Sequence, residues 1–94
     1  MKVISFIFPK TIFNDVFNEK IDLIKKLLKN KYEYQFLFVY DELKPNKYKN
    51  SKTTKYLACD TENYNEHIKL GYEYINGDCA IVCDLNDENL EEYL

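Results

Sequence analysis

The stretch GDCAIVCDLND, residues 77–87, joins an apolar run directly to a group of acids. Five consecutive apolar residues, 79–83, lead into Asp84, Asn86 and Asp87 with no turn residue between them. A continuous apolar run is typical of a strand that is covered on both faces of a parallel sheet. The stretch therefore predicts a buried strand whose carboxyl end carries polar side chains, which either form a site or only terminate the strand.

The rest of the chain alternates between strand-like and helix-like patterns. Runs of β-branched and aromatic residues predict three more strands, at residues 2–8, 32–41 and 56–60. Amphipathic or capped segments predict helices at residues 14–30, 63–76 and 87–94, and a polar lysine-rich segment predicts a loop at 42–55. Buried strands joined by helices favour right-handed parallel crossovers. We therefore expect an α/β fold with one small domain, residues 1–94, whose mostly parallel four-stranded sheet has helices on its faces.

The helix predicted at 14–30 has the clearest periodicity in the chain. Its apolar face consists of residues at helical spacing, namely Phe17, Ile21, Ile24 and Leu28. Asn14 or Asp15 is available as the N-cap. This segment is therefore expected to pack one face against the sheet.

The helix predicted at 63–76 begins with a capping-box spacing, because Glu66 follows Asn63 by three residues. Its expected apolar face consists of Ile68, Tyr72 and Ile75. His67, the single histidine, has no serine or cysteine nucleophile at a recognisable spacing. We therefore assign it no chemical role from the sequence.

Composition excludes two classes of partner. The chain has 94 residues, a formal net charge of −3, and 13 basic residues, all of them lysine. Without arginine the bidentate contacts that anchor nucleic-acid recognition are missing, so no nucleic acid is expected. No window approaches the ~20 apolar residues that a membrane helix needs, so no membrane span is expected.

Three cysteines, an odd number, are spread over positions 59, 79 and 83. This spacing does not predict a disulfide framework or a zinc site, and a reduced cytoplasmic location fits best. Cys79 and Cys83 lie four residues apart in the same strand, so both should point to one face. We expect them to be small buried hydrophobes.

Three of the four predicted strands end in an acid, namely Asp41, Asp60 and Asp84. In open parallel sheets the carboxyl ends of the strands lie at one edge, and ligands bind there. Acids that meet at such an edge need a cation, a hydrogen-bond donor or water. These residues are either part of a binding site or solubilising strand terminators, and the pattern alone leaves both readings open.

At this point the chain resembles a known family. The segments ISFIFP, FLFVYDE and GYEYINGDCAIVCDLND, in this order, look like the N-terminal half of family 2 glycosyltransferases, whose fold is called GT-A. The best match is a pattern of glycines and acids at the family's spacing, formed by Gly71, Gly77, Asp78 and Asp84. Pro9 matches the proline that ends the first strand in that family. The resemblance covers nearly the whole chain.

The resemblance implies a Rossmann-like sheet with strand order 3-2-1-4 and binding of a nucleotide-sugar, linked to UDP or GDP. The residues implied in nucleotide binding are Pro9, Asp41 and Asp60. The residues implied in binding a divalent metal are Asp84, Asn86 and Asp87. Mg²⁺ or Mn²⁺ suits these oxygen ligands and would bridge the diphosphate.

The chain also departs from the family pattern. Asn86 replaces a charged ligand, and Tyr40 replaces one acid after the second strand. The general base of inverting members comes from a later segment than these 94 residues, so no catalytic residue is assigned. The expected function is a glycosyltransferase-like nucleotide-sugar binder that is incomplete as an autonomous transferase.

Two alternatives remain open. The first is a non-catalytic protein-interaction module that retains the fold. The second is a Mg²⁺-binding phosphoacceptor domain, which is less favoured because Pro9 and Lys10 stand where paired acids would follow the first strand. In the family's strand order the strand around Ile81 and Val82 has a further neighbour, and without it this strand is an edge that invites pairing. A homodimer or a partner chain at this strand is therefore expected.

Overall fold

The sheet contains four strands, all parallel, in a computed structural model that describes residues 3–29 and 31–85. The strands are β1 (Val3–Phe8), β2 (Glu33–Tyr40), β3 (Thr54–Ala58) and β4 (Cys79–Val82), and the helices are α1 (Asp15–Leu28) and α2 (Tyr64–Tyr72). The strand order is β3-β2-β1-β4. The predicted α/β class, the parallel pairing and the order 3-2-1-4 are confirmed. The helix predicted at 87–94 lies outside the described residues.

β1 is a central strand and sets the point at which the topology reverses. It pairs with β2 on one side and with β4 on the other. The chain leaves β1 towards β2 and β3, and then returns across the sheet to β4. The switch point of this α/β sheet therefore lies between β1 and β4, and the crevice at its carboxyl end is where such sheets bind ligands.

One face of the sheet is covered by α1 and is rich in aromatic residues. The predicted apolar face of α1 is confirmed, since its four residues are all buried: Phe17, Ile21, Ile24 and Leu28. They pack on sheet residues that are almost fully buried: Phe6, Phe8, Phe36 and Phe38. Asn14 is the N-cap, because its side chain accepts a hydrogen bond of 2.9 Å from the backbone N–H of Phe17.

Tyr48, in the loop between β2 and β3, covers β3 on this same face. Its ring lies 5.8 Å from that of Tyr56 and 5.6 Å from that of Phe17, measured between centroids. Its hydroxyl donates to Asn18 Oδ1 at 2.9 Å. The lysine-rich loop predicted at 42–55 is thus anchored by an aromatic residue, although most of its side chains are exposed.

The other face is covered by α2, and here the sequence prediction was partly wrong. Tyr72, expected on the apolar face, is 49 % exposed, whereas His67 and Gly71 are the buried residues of the helix. A Cβ atom on Gly71 would lie 2.6 Å from Ile7 Cγ2, so the glycine allows α2 to approach β1 closely. Asn63 caps the helix as predicted, accepting from the backbone N–H of Glu66.

The prediction that the 79–83 run is buried on both faces was wrong for β4. Cys79 is exposed, and Ile81 and Val82 are only half-buried. β4 has β1 as its one neighbour among the described strands, so its other edge has no strand to cover it there. Cys83, directly after β4, is buried as expected. Neither of the two described helices is long and apolar enough to cross a membrane.

Candidate functional site at the carboxyl end of the sheet

The glycine-acid pair that best matches the family pattern lies at the amino end of the sheet. Asp78 accepts a hydrogen bond from the Val3 backbone N–H through Oδ2 at 2.9 Å, and its own N–H donates to the Val3 carbonyl at 2.8 Å. A Cβ on Gly77 would lie 2.6 Å from the Val3 carbonyl oxygen and 2.7 Å from Ser5 Oγ. Gly77 and Asp78 therefore join β4 to β1, and close packing accounts for the glycine while hydrogen bonds to Val3 account for the aspartate.

A buried polar network completes this amino end. Ser5 donates through its hydroxyl to Gln35 Oε1 at 2.7 Å, and Gly77 N–H donates to Ser5 Oγ at 3.1 Å. Gln35 Oε1 also accepts from the Asn76 N–H, and Gln35 Nε2 donates to the Tyr74 carbonyl, each at 3.1 Å. No buried side-chain polar atom among the described residues is left without a partner. Internal hydrogen bonds thus satisfy the buried polar groups at the amino end, beside an open cavity of about 550 Å³ that Gln35 and Asn76 help to line.

The loop after β1 forms the centre of the carboxyl end. Thr11 donates from its backbone N–H to the Val39 carbonyl and from its hydroxyl to the Phe8 carbonyl, both at 2.8 Å. Lys10, the residue before Thr11, adopts the left-handed conformation, with φ at +52°. Its side chain is exposed. A lysine in this region is strained, and such strain concentrates at functional sites.

His67 reaches this loop from α2, a contact that sequence reasoning missed. The Lys10 backbone N–H donates to His67 Nδ1 at 2.9 Å, and His67 Nε2 lies 2.7 Å from the Thr61 carbonyl oxygen. The side chain is fully buried. A lone histidine carries no sequence signal for such a role, because its partners are backbone atoms and one of them, the Lys10 N–H, is 57 positions away in the chain.

A small cleft opens beside Lys10 at the switch point. It has a volume of about 60 Å³ and is lined by residues 9–12 of the loop, by the N-cap Asn14, by Val16, Phe17 and Lys20 of α1, and by Leu85 after β4. The Lys20 ammonium donates to the Leu85 carbonyl oxygen. At about 10–15 Å³ for each water molecule by this measure, the cleft holds roughly four to six waters. Its enclosed part is therefore of a size for a small anionic group such as phosphate.

The structure places the three strand-end acids along the same carboxyl edge, as the topology predicted. Asp41 after β2 is half-buried, whereas Asp60 after β3 and Asp84 after β4 are exposed. At a strand spacing of ~4.8 Å, the ends of β3 and β4 are about 14 Å apart and those of β2 and β4 about 10 Å apart. Of these three acids, Asp84 is the one next in sequence to a residue that lines the cleft, because it directly precedes Leu85.

The described residues do not form a metal site by themselves. No group of three or more histidine, cysteine, aspartate or glutamate side chains in residues 3–29 and 31–85 is arranged to hold an ion. Asn86 and Asp87, the other two predicted metal ligands, lie outside these ranges. Mg²⁺ commonly takes one or two carboxylates and completes its shell with phosphate oxygens and water, so Asp84 together with a bound diphosphate would suit it.

Tyr64, the first residue of α2, adds an aromatic side chain to this edge. Its ring is 42 % exposed. Partial burial raises the pKa of the Tyr64 hydroxyl, and the Asp84 carboxylate and the Cys83 thiol raise it further. The sequence analysis did not single out Tyr64, because nothing in the residue pattern brings the start of α2 to the end of β4.

These elements define a small Rossmann-like α/β domain with a cationic cleft at its topological switch point. Comparison of the chain with protein-family models, with curated proteins and with solved structures finds no match. The resemblance to family 2 glycosyltransferases therefore stays a prediction made from the sequence.

Proposed function

We propose that this chain binds the diphosphate of a nucleotide-sugar at the cleft between the ends of β1 and β4. The observation that carries this proposal is the position of the cleft at the switch point, where Lys10 and Lys20 line it and Asp84 adjoins it. Open α/β sheets bind ligands at this position, whatever their sequence. The proposal covers binding of the donor and assigns no residue to sugar transfer.

The charges around the cleft suit a diphosphate. The ammonium groups of Lys10 and Lys20 attract anionic oxygens, and the amino end of α1, capped by Asn14, contributes a partial positive charge. Mg²⁺ or Mn²⁺ held by Asp84 and by phosphate oxygens would neutralise further charge on the diphosphate. Because the cleft is small, one phosphate of the diphosphate would occupy it, and the other phosphate, the base and the sugar would lie over the open edge, within reach of Asp41 or Tyr64.

Calorimetric titration with UDP-glucose and GDP-mannose, each with Mn²⁺, tests this proposal. We expect binding to one of them, and Asp84→Ala should weaken it about tenfold, which corresponds to ~1.4 kcal/mol. Glu33→Gln is the matched control, since it removes an exposed negative charge at the opposite end of the sheet and should leave binding unchanged. Absence of heat at millimolar ligand would overturn the proposal.

The second candidate is an interaction module that pairs through β4. The observation that favours it is the uncovered edge of β4 among the described strands, with Ile81 and Val82 half-buried and Cys79 exposed. Such an edge can add a strand from a second copy of the chain or from a partner. Light scattering at tens of micromolar tests this pairing. A reductant in the buffer keeps Cys79 as a thiol, so that a disulfide between chains is not mistaken for strand pairing. A dimer that Ile81→Lys dissociates supports pairing between two copies of the chain, and a monomer contradicts that pairing.

A further inference from the structure

We infer that His67 is a positioning residue, which holds the Lys10 backbone in its left-handed conformation and thereby fixes the rim of the cleft. The inference concerns the protein without ligand, so it does not rest on the proposed function. Both ring nitrogens of His67 bond to backbone groups.

The hydrogen bonds define one protonation state of the ring. The Thr61 carbonyl can only accept, so Nε2, at 2.7 Å from it, carries the proton. The Lys10 backbone N–H can only donate, so Nδ1, at 2.9 Å, presents its lone pair. His67 is therefore the neutral Nε2–H tautomer, in which each nitrogen does what its partner requires.

The bond to Lys10 compensates for an unfavourable backbone conformation. A non-glycine residue at φ +52° persists only where its surroundings determine it. Thr11 secures the carboxyl side of this turn through Val39 and Phe8. Among the hydrogen bonds of the described residues, the His67 ring is the side-chain partner of the Lys10 N–H, and it is 57 positions away in the sequence.

The hydrogen bond from Lys10 to His67 does more than give the buried imidazole a partner, because it lies beside the cleft. It ties α2 to a loop whose Lys10 and Thr11 line the cleft, and α2 begins with Tyr64 at the same edge. A displacement of α2 relative to β1 would move the ring and with it the Lys10 backbone at the rim of the cleft. A phenylalanine of similar size would fill the same volume but leave both backbone groups without a partner.

A pair of matched variants at His67 tests its two hydrogen bonds separately. Asparagine places its Oδ1 where Nδ1 lies and can accept from Lys10, whereas glutamine places its Nε2 where the histidine Nε2 lies and can donate to Thr61. We expect hydrogen exchange at the Lys10 amide to accelerate about tenfold or more in His67→Gln and to stay within about threefold of the parent in His67→Asn. Core amides, such as that of Phe38, serve as the internal reference for global stability.

A second measurement needs no variant. Imidazole ¹⁵N chemical shifts of the unaltered chain should report the Nε2–H tautomer, with the Nδ1 nitrogen hydrogen-bonded. An Nδ1–H tautomer would overturn the inference, and so would equal protection of the Lys10 amide in both variants. Because neither readout uses a ligand, failure here is distinct from failure of nucleotide-sugar binding.

Discussion

The two ends of the sheet contrast in how their polar groups are used. At the amino end, Ser5, Gln35 and Asp78 bond to each other or to neighbouring backbone, and these bonds link β1, β2 and the segment before β4. At the carboxyl end the loop after β1 is held by Thr11 and His67, while lysines and acids remain at the surface. The contrast teaches that the residues of one sequence motif can lie at opposite ends of a sheet, since Gly77 and Asp78 join β4 to β1 at the amino end and Asp84 lies at the carboxyl end, where we propose binding.

The largest expected effect tests whether Gly77 is required for folding. Gly77→Ala forces a Cβ against the Val3 carbonyl and Ser5, and overpacking of this kind should lower the free energy of unfolding by about 3 kcal/mol. Urea unfolding measures the change. Asn76→Ala, at the exposed neighbouring residue, is the control and should cost no more than about 0.5 kcal/mol. Equal stability of the two variants would remove the structural account of Gly77.

The next prediction concerns the buried network at the same end. Gln35→Leu strands the Ser5 hydroxyl and the Asn76 N–H, so it should destabilise the protein by about 2 kcal/mol. Adding Ser5→Ala removes one of the stranded groups, and the double variant should therefore cost less than the sum of the single changes. Strict additivity in urea unfolding would show that the network is not coupled.

At the carboxyl end we expect a substitution that stabilises. Lys10→Gly relieves the left-handed strain, worth ~1–2 kcal/mol, but increases the entropy of the unfolded chain, so the net gain should be about 0.5 kcal/mol. Lys10→Ala keeps the strain while removing the charge, and serves as the control. If the glycine variant is less stable than the alanine variant, the strain at Lys10 has no energetic weight.

The smallest effect concerns Tyr64. Its raised pKa means that the folded protein holds the phenolic proton more tightly than the unfolded chain, whose value is 10.0. Its contribution to stability is therefore present below pH 10.0 and is lost as the pH rises through the folded pKa. Asp84→Asn removes one cause of the shift, so tyrosinate absorbance, compared with Tyr64→Phe, should show a lower pKa. An unchanged Tyr64 pKa would show that the Asp84 carboxylate does not act on the Tyr64 hydroxyl.

Much of the fold could be predicted because local patterns agree with the tertiary structure. The apolar period of α1 names its four buried residues, and the runs in β1 and β2 identify the two central strands. The burial of β4 was predicted wrongly because an apolar run shows composition and not the number of neighbouring strands. The buried face of α2 was predicted wrongly because its buried residues are His67 and Gly71. Neither residue counts as apolar when a helical periodicity is assigned.

The candidate site was less accessible to sequence reasoning. The strand-end acids were placed at the correct edge by topology, but their separation depends on the strand order, which the residue pattern does not encode. The strained conformation of Lys10 and its bond to His67 depend on contacts between distant segments. Asn86 and Asp87, on which the predicted metal site depends, lie beyond the described residues.

Amide ¹H–¹⁵N spectra recorded during titration with Mg²⁺ and UDP test most directly whether the two ends have separate roles. We predict shifts at Lys10, Thr11 and Leu85, which line the cleft, while the amides of Gly77 and Asp78 stay unchanged. Shifts centred on Gly77 and Asp78, or no shifts at millimolar ligand, would contradict the assignment of binding to the carboxyl end.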